Sequence, residues 1–256
     1  MNNDSNPFTP PSLAPRPSGS FAPRYRIDNS KATLKEFINI SRKPILGTAV
    51  WLALKIGLLK MNQGFVDSPR PFAEDQCALE DIPEPAKAKL LECIEQARRL
   101  GFHSATFSVK TMSGVEATAA QLRMLHRNEQ CFYRAIFAFT ANGTEYRENV
   151  ASATIDPLSY IVSSNGRPDY HPPSMVREIY FRGLPLNDLF RRHMEAIATE
   201  KNLVRIQSFE DTGEIIDRHT KLSFVDLIDR GIFVAIDYEI VSGELDTSRN
   251  QEYVND

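Results

Sequence analysis

The longest run of apolar positions in the chain covers residues 45–61 and is interrupted by Lys55 and Lys60. A helix that crosses a bilayer needs about 20 predominantly apolar residues, and this run is shorter. A lysine near the middle of a spanning helix also costs about 2.5–3.5 kcal/mol. The pattern therefore favours a helix that lies on a membrane surface or against a protein partner. Two alternatives stay open: residues 45–61 span a membrane, or they pack on the chain's own domain.

A short helix is predicted just before this run. Thr33 and Glu36 have the spacing of a capping box, in which the two side chains satisfy backbone N–H groups at the start of a helix. Pro44 disfavours helical geometry in the residue before it, so this helix is predicted to end by Lys43.

The clearest helical periodicity covers residues 83–100. The apolar positions that share one face are Ala86, Leu90, Cys93, Ile94 and Ala97. Asp81 and Glu84 have the spacing of a second capping box. Gly101 is placed to end the helix in a left-handed conformation.

From residue 103 to residue 182 the apolar positions follow a period of two, which is typical of strands. The segments with this pattern are 103–110, 121–126, 131–140, 144–155, 160–163 and 175–182. Asn142-Gly143 is a strong signal for a tight hairpin turn. Consecutive strands with no helix between them predict an antiparallel meander.

The C-terminal third returns to helical patterns. Residues 186–201 and 220–230 are predicted as helices, with a polar turn at 211–214 and a last strand at 232–241. The whole pattern predicts an α+β fold, in which an antiparallel sheet meander of about six strands packs with two or three helices.

Composition divides the chain into five segments. Residues 1–29 are rich in proline and polar residues, cannot bury enough apolar surface to fold, and are predicted to be a disordered tail. Residues 30–63 contain the short helix and the apolar helical segment, and residues 64–80 form a linker with proline breakers. Residues 81–242 form the globular domain, and the polar residues 243–256 are predicted to fray.

Composition also restricts the class of protein. A hydrophobic fraction of 42% and a charged fraction of 25% are typical of a globular protein with a core. The net charge of −3 and the isoelectric point near 6.0 argue against a nucleic-acid partner. Three widely spaced cysteines suit a reducing compartment, and no secretory signal is recognisable. We therefore expect a cytoplasmic protein, with residues 45–61 as the candidate contact to a membrane surface or a protein partner.

No motif identifies a catalytic residue, and none indicates a cofactor or a metal. The five histidines are scattered singly, without the spacing of metal ligands. His193 is expected to be a satisfied or surface histidine on its helix. Asp169 and His171 lie in a long loop, and long loops often carry function. Whether Asp169, His171 or His193 has a functional role stays open.

Three features together resemble a loose group of uncharacterised bacterial proteins: the helix ending in Leu100-Gly101-Phe102, the strands that follow, and the helix with Arg192-His193. In that group a helix ending in Leu-Gly-Phe precedes a meander and a helix that contains histidine. The likeness covers roughly residues 80–200. It implies the architecture only, because the group has no assigned activity.

Two functions fit these observations. The first is a non-catalytic binding or interaction domain held near a membrane or a partner by residues 45–61. The second is a small soluble enzyme or ligand carrier with a pocket between sheet and helices. The aromatic residues expected to line that pocket are Phe132, Tyr133, Phe137 and Phe139. Titratable residues around one concavity would favour an enzyme, and an all-apolar interior would favour the interaction domain.

Overall fold

The computed structural model describes residues 24–236, apart from residue 42 and the segments 60–64, 70–75, 113–116, 141–142, 156–158 and 167–169. The helices are α1 (Leu34–Ser41), α2 (Pro44–Lys55), α3 (Glu84–Arg99), α4 (Leu186–Ile197) and α5 (Phe209–Asp229). The strands are β1 (Arg24–Ile27), β2 (Phe65–Asp67), β3 (Gln76–Cys77), β4 (Phe102–Met112), β5 (Ala117–His126), β6 (Phe132–Thr140), β7 (Gly143–Thr154), β8 (Ser159–Ser164), β9 (Val176–Tyr180) and β10 (Phe233–Ala235).

Seven strands form the main sheet, in the order β3-β4-β5-β6-β7-β8-β9. Neighbouring strands are antiparallel except β8 and β9, which pair in parallel. The predicted α+β class is confirmed. The prediction of about six strands, all antiparallel, is wrong in both respects, because the sheet is mixed and has a seventh strand.

Two local features explain these differences. β3 is only two residues long, so no alternating pattern reveals it in the sequence. Residues 165–175 separate β8 from β9, and Tyr160 near the start of β8 pairs with Val176 at the start of β9. The connection therefore runs back along the whole length of β8 before β9 begins, so the two strands point in the same direction. A tight turn would have made the pair antiparallel.

The two faces of the sheet are covered by different helices. Tyr133 and Ala135 of β6 belong to the main core, where α3 and α4 pack on the sheet. Phe132 of the same strand belongs to a second cluster, with Ile215 and Ile216 of α5. Successive strand residues point to opposite faces, so alternate residues of β6 separate into these two layers.

The predicted helix over 83–100 is confirmed as α3, but its capping box is wrong. Asp81 accepts a hydrogen bond from the backbone N–H of Ala78 at 3.0 Å, in the turn before the helix. Pro83 occupies the N-cap without a side-chain hydrogen bond. Gly101 has a φ of 92° and ends α3 in the left-handed conformation, as predicted.

α5 begins at Phe209, well before the predicted start at residue 220, and it includes the predicted turn at 211–214. Ser208 and Asp211 form a capping box: the backbone N–H of Asp211 donates to Ser208 Oγ at 3.2 Å, and that of Ser208 donates to Asp211 Oδ2 at 2.9 Å. The polar residues that indicated a turn are therefore the first turn of a helix.

A second sheet, in the order β10-β1-β2, joins the N-terminal segment to the end of the chain. The predicted disordered tail is therefore wrong for residues 24–29, and the predicted linker 64–80 contains β2 and β3. β1 pairs with a strand from the other end of the chain, and local composition does not reveal such a partner. Residues 1–23 and 237–256, with the predicted frayed tail, lie outside the described residues.

Both predicted N-terminal helices are present, but the second, α2, ends at Lys55 and covers only part of the apolar run 45–61. The backbone N–H of Thr33 donates to Glu36 Oε2 at 2.8 Å, and that of Glu36 donates to Thr33 Oγ1 at 3.3 Å, which completes the capping box of α1. α2 packs on α1 and ends at Lys55, and Gly57 then adopts a φ of 74°. Within the described ranges, every helix is too short or too polar to cross a membrane.

Candidate functional site

A cavity of about 300 Å³ lies between the α5 face of the sheet and α5 itself. Its apolar lining consists of Phe132, Ile136, Ala151, Val162, Ile215, Ile216 and Leu227. Its polar lining includes Arg134, Arg147, Asn149, Tyr160, Glu178, His219 and Ser223. Tyr170, His171 and Pro172 add a loop wall. The volume is at the lower end of the range of about 300–1,000 Å³ for small-molecule sites.

Arg134 supplies a partly buried positive charge to the cavity. Its Nε and Nη2 atoms donate to Gln121 Oε1 at 3.0 and 2.6 Å. Gln121 is uncharged and therefore orients the guanidinium without neutralising it. Burial, with a contribution from the positive charge of Arg147, lowers the pKa of Arg134 to about 10, so it is still protonated at neutral pH.

Arg123 lies directly opposite Arg134 across β5 and β6. Its Nη1 donates to Thr212 Oγ1 at 2.6 Å and fixes the first turns of α5 against the sheet. Burial and the charge of Arg134 lower the pKa of Arg123 to about 9, although Asp217 and Glu210 act in the other direction. Like charges in opposite positions destabilise an antiparallel pair, so a negative group beside them is favourable.

The ionised side chains that line the cavity differ in their partners. Arg134 and Arg147 are cationic, and Glu178 is anionic. Arg147 pairs with Glu145, at 3.5 Å between Nη2 and Oε2, whereas Arg134 donates to the neutral Gln121. Burial, with a smaller effect of Arg134, lowers the pKa of His219 to about 4, so its imidazole is neutral at pH 7.

Two polar atoms of the lining are buried without a hydrogen-bond partner in the described part of the chain: the hydroxyl of Tyr160 and Oδ1 of Asn149. The Tyr160 side chain is almost completely buried, with 1% of its residue surface exposed. A buried polar atom left unsatisfied costs about 1–3 kcal/mol. A bound molecule with a polar group at this point would recover that energy.

The loop wall is held by the N-terminal segment. The hydroxyl of Tyr170 donates to Asn29 Oδ1 at 2.9 Å, and the backbone N–H of His171 donates to Glu36 Oε1 at 2.7 Å. The long loop singled out in the sequence therefore reaches the cavity through Tyr170 and His171. Asp169 lies outside the described residues.

His193 occupies a different environment. It is fully buried, with Nε2 at 2.9 Å from Ser152 Oγ and Nδ1 at 3.1 Å from Ser163 Oγ. Ser152 donates its hydroxyl proton to the carbonyl oxygen of Gln130, so Nε2 donates to Ser152 and Nδ1 accepts from Ser163. Burial, with a smaller effect of Arg177, lowers the pKa of His193 to about 3. His193 is thus a neutral histidine with both ring nitrogens bonded, joining α4 to β7 and β8.

The expected aromatic lining is only partly correct. Phe132 lines the cavity. Tyr133, Phe137 and Phe139 lie in or against the core under α3 and α4, because they are an odd number of residues from Phe132 along β6.

Sequence reasoning missed the polar half of the cavity. Arg123 and Arg134 each interrupt an otherwise apolar strand, and a buried charge in such a strand was the available signal. His219 was missed because the predicted helix began one residue after it.

The three cysteines, Cys77, Cys93 and Cys131, are free, and burial raises the pKa of each thiol. They are therefore protonated at neutral pH, whereas nucleophilic attack and metal binding require the thiolate. No group of three or more metal-ligating side chains occurs among the residues with described positions.

The chain matches no known protein family, no curated protein and no solved structure at a significant level. The resemblance to a group of bacterial proteins therefore stays a prediction.

Proposed function

We propose that this chain is a non-catalytic binding domain that takes a small amphipathic anion into the cavity between the sheet and α5. A medium-chain carboxylate represents this class of ligand. The observation that carries the proposal is the combination, in one concavity, of an apolar wall, the Arg134 guanidinium bonded to the neutral Gln121, and a Tyr160 hydroxyl that has no partner among the described residues.

The roles of the side chains follow from their chemistry. Arg134 attracts the carboxylate in a site of low dielectric constant, where charge-assisted hydrogen bonds are strong. Burial raises the pKa of Tyr160, so its hydroxyl keeps its proton and donates to the same group. Phe132, Ile215 and Ile216 surround the alkyl part.

Calorimetric titration of the full chain with octanoate, octanol and octylamine tests the proposal. We expect octanoate to bind at least about tenfold more tightly than octanol, because a hydrogen bond to a charged group contributes about 1.5–3 kcal/mol. Octylamine should bind least. Equal binding of octanoate and octanol would contradict the proposal.

Arg134→Met is the diagnostic variant. Replacing a buried charge by an apolar side chain of similar length is often tolerated, and here it also removes the repulsion from Arg123. The variant should fold and lose the preference for octanoate over octanol. Arg191→Met, at an exposed position on α4, is the matched control and should keep that preference.

The titratable side chains of His219, Glu178 and Tyr160 in one lining are the feature that we expected of an enzyme, so a catalytic use of the same cavity is the second candidate function. Hydrolysis of an octanoate ester by the full chain, lost in His219→Asn and retained in His103→Asn, would favour the enzyme. Binding of octanoate without turnover of the ester would favour the binding domain.

A further inference from the structure

α2 and the residues after it present an exposed apolar surface, called here the α2 surface: Ile45, Leu46, Leu52, Ile56, Leu58 and Leu59. These are six of the ten large hydrophobic side chains that are exposed in the described part of the chain. Ile45 is 89% exposed and Leu58 is 74% exposed. Exposed apolar side chains concentrated in one segment mark an interaction site.

The opposite side of α2 is fixed to the domain. Gly47 is buried against α1, where an added Cβ would lie 2.3 Å from Ser41 Oγ. Trp51 donates from Nε1 to the carbonyl oxygen of Ala32 at 3.0 Å. The α2 surface is therefore the outer face of a helix that is already packed, and rotating it inward would break both contacts.

The charged residues of the segment that contains the α2 surface have one sign. Between Glu36 and Asp67 the chain contains Arg42, Lys43, Lys55 and Lys60 and no acidic residue, although the net charge of the whole chain is −3. Lys43 and Lys55 are exposed and lie just before the start and at the end of α2. An apolar strip with cations at both ends complements an interface of acyl chains and anionic headgroups.

We propose that the α2 surface docks on an anionic membrane surface, with α2 lying in the plane of the interface. A helix of 12 residues is about 18 Å long, well below the thickness of a bilayer core. A second copy of this chain is a poorer occupant, because a symmetric contact of two α2 surfaces would bring the lysines of both copies together. This proposal does not depend on the ligand proposed for the cavity.

The test measures whether the full chain sediments with lipid vesicles. The full chain is mixed with vesicles of phosphatidylcholine alone or of phosphatidylcholine with phosphatidylglycerol. We expect sedimentation with the anionic vesicles only, and weaker binding at high salt. Equal binding to both vesicles, or to neither, would overturn the proposal.

Two pairs of variants separate the apolar and ionic contributions. Ile45→Ser with Leu52→Ser should abolish binding, whereas Leu91→Ser with Val225→Ser, at exposed apolar positions on α3 and α5, should not. Lys43→Glu with Lys55→Glu should lower the partition coefficient by about tenfold or more, and Lys201→Glu with Lys221→Glu should change it less. Far-UV circular dichroism checks that each variant folds. A concentration-dependent dimer that is lost in the Ile45/Leu52 variant, without vesicle binding, would overturn the proposal in favour of self-association.

Discussion

Arg230, just after α5, donates from Nη2 to both carboxylate oxygens of Glu36, at 2.5 and 2.6 Å, across 194 residues of sequence. The Glu36 side chain is fully buried, and it also accepts hydrogen bonds from the backbone N–H groups of Thr33 and His171. The capping residue of α1 therefore holds the end of α5 and a wall of the cavity in one network.

Glu36→Gln is expected to lower the free energy of unfolding at neutral pH by about 3 kcal/mol. Burial alone would raise the pKa of Glu36, but hydrogen bonds from Arg230 and from the backbone outweigh it and lower the pKa from 4.5 to about 2. Because the pKa is lower in the folded state, this stability is complete above pH 4.5 and is lost as the pH falls to about 2. Urea denaturation over this pH range measures the effect.

Glu95→Gln is the control for this variant. Glu95 is exposed on α3 and pairs with the neighbouring Arg98, so its replacement should change stability by less than about 0.5 kcal/mol. If wild type and Glu36→Gln lost stability equally between pH 4.5 and 2, Glu36 would not be the titrating group.

Some elements that depend on residues close in sequence could be predicted, although the local capping box of Ser208 and Asp211 was interpreted as a turn. Elements that depend on distant partners could not be predicted. Thr33 with Glu36 and the stop at Gly101 are local, and both form as predicted. β1 exists only because β10 and β2 pair with it, and no local pattern distinguishes it from the polar tail before it. The partner of Glu36 could not be predicted for the same reason.

The presence of a pocket beside β6 could be predicted, but its polar lining could not. The aromatic density of β6 indicated a strand beside a pocket, and the period of two could have separated Phe132 from Tyr133. Arg134 shares the face of Phe132, and its role depends on Asn149 opposite it on β7 and on His219 of α5. Those neighbours come from the tertiary structure and not from spacing in the sequence.

His193→Leu is expected to weaken the dependence of stability on pH. Burial lowers the pKa of His193 from 6.5 to about 3, so the unfolded chain binds a proton that the folded chain does not. The stability of wild type should therefore decrease as the pH falls below 6.5, and by pH 5 this residue should account for about 2 kcal/mol. In the variant this share of the decrease should be absent.

The same variant should also be less stable at pH 7, by about 2 kcal/mol, because the hydroxyl of Ser163 loses its acceptor. His219, whose pKa is lowered to about 4, should preserve part of the pH dependence. His103→Leu, at an exposed position, is the control, and it should reproduce the wild-type curve. A pH profile of His193→Leu parallel to wild type would refute the assignment.

Tyr160→Phe is expected to weaken ligand binding without lowering the stability of the protein. The hydroxyl it removes is buried and has no partner among the residues that the structure describes, so unfolding should require the same free energy or up to about 1 kcal/mol more. Affinity for octanoate should fall severalfold. Tyr146→Phe removes a hydroxyl that bonds to Cys93 Sγ at 2.9 Å under α3, so it should cost about 1 kcal/mol and leave octanoate binding unchanged. Loss of stability in Tyr160→Phe would mean that the hydroxyl has a partner in the free protein.

Gly101→Val is expected to destabilise the protein by about 1–2 kcal/mol, because a β-branched residue is strained at a φ of 92°. The new Cβ would also approach Arg127 Nε to 2.9 Å, although that side chain is flexible. Gly213→Ala is the contrasting variant. Its Cβ would meet only Arg123 Nη1, at 3.8 Å, inside α5, so it should be neutral or stabilising. Thermal unfolding of both variants with equal midpoints would contradict the left-handed stop at Gly101.

A fragment of residues 81–256, which begins at the domain boundary predicted from the sequence, is expected to be much less stable than the full chain. It lacks Tyr25, whose ring packs edge-on against Phe224 at 4.9 Å, and it lacks the two strands that pair in the β10 sheet. It also leaves Arg230 without Glu36, its buried partner, and removing one member of such a pair costs about 3–5 kcal/mol. Urea denaturation should show an earlier, broader transition for the fragment and a single cooperative transition for the full chain. A fragment that unfolds at the same midpoint as the full chain would show that residues 24–80 are an appendage and that the domain predicted from the sequence folds alone.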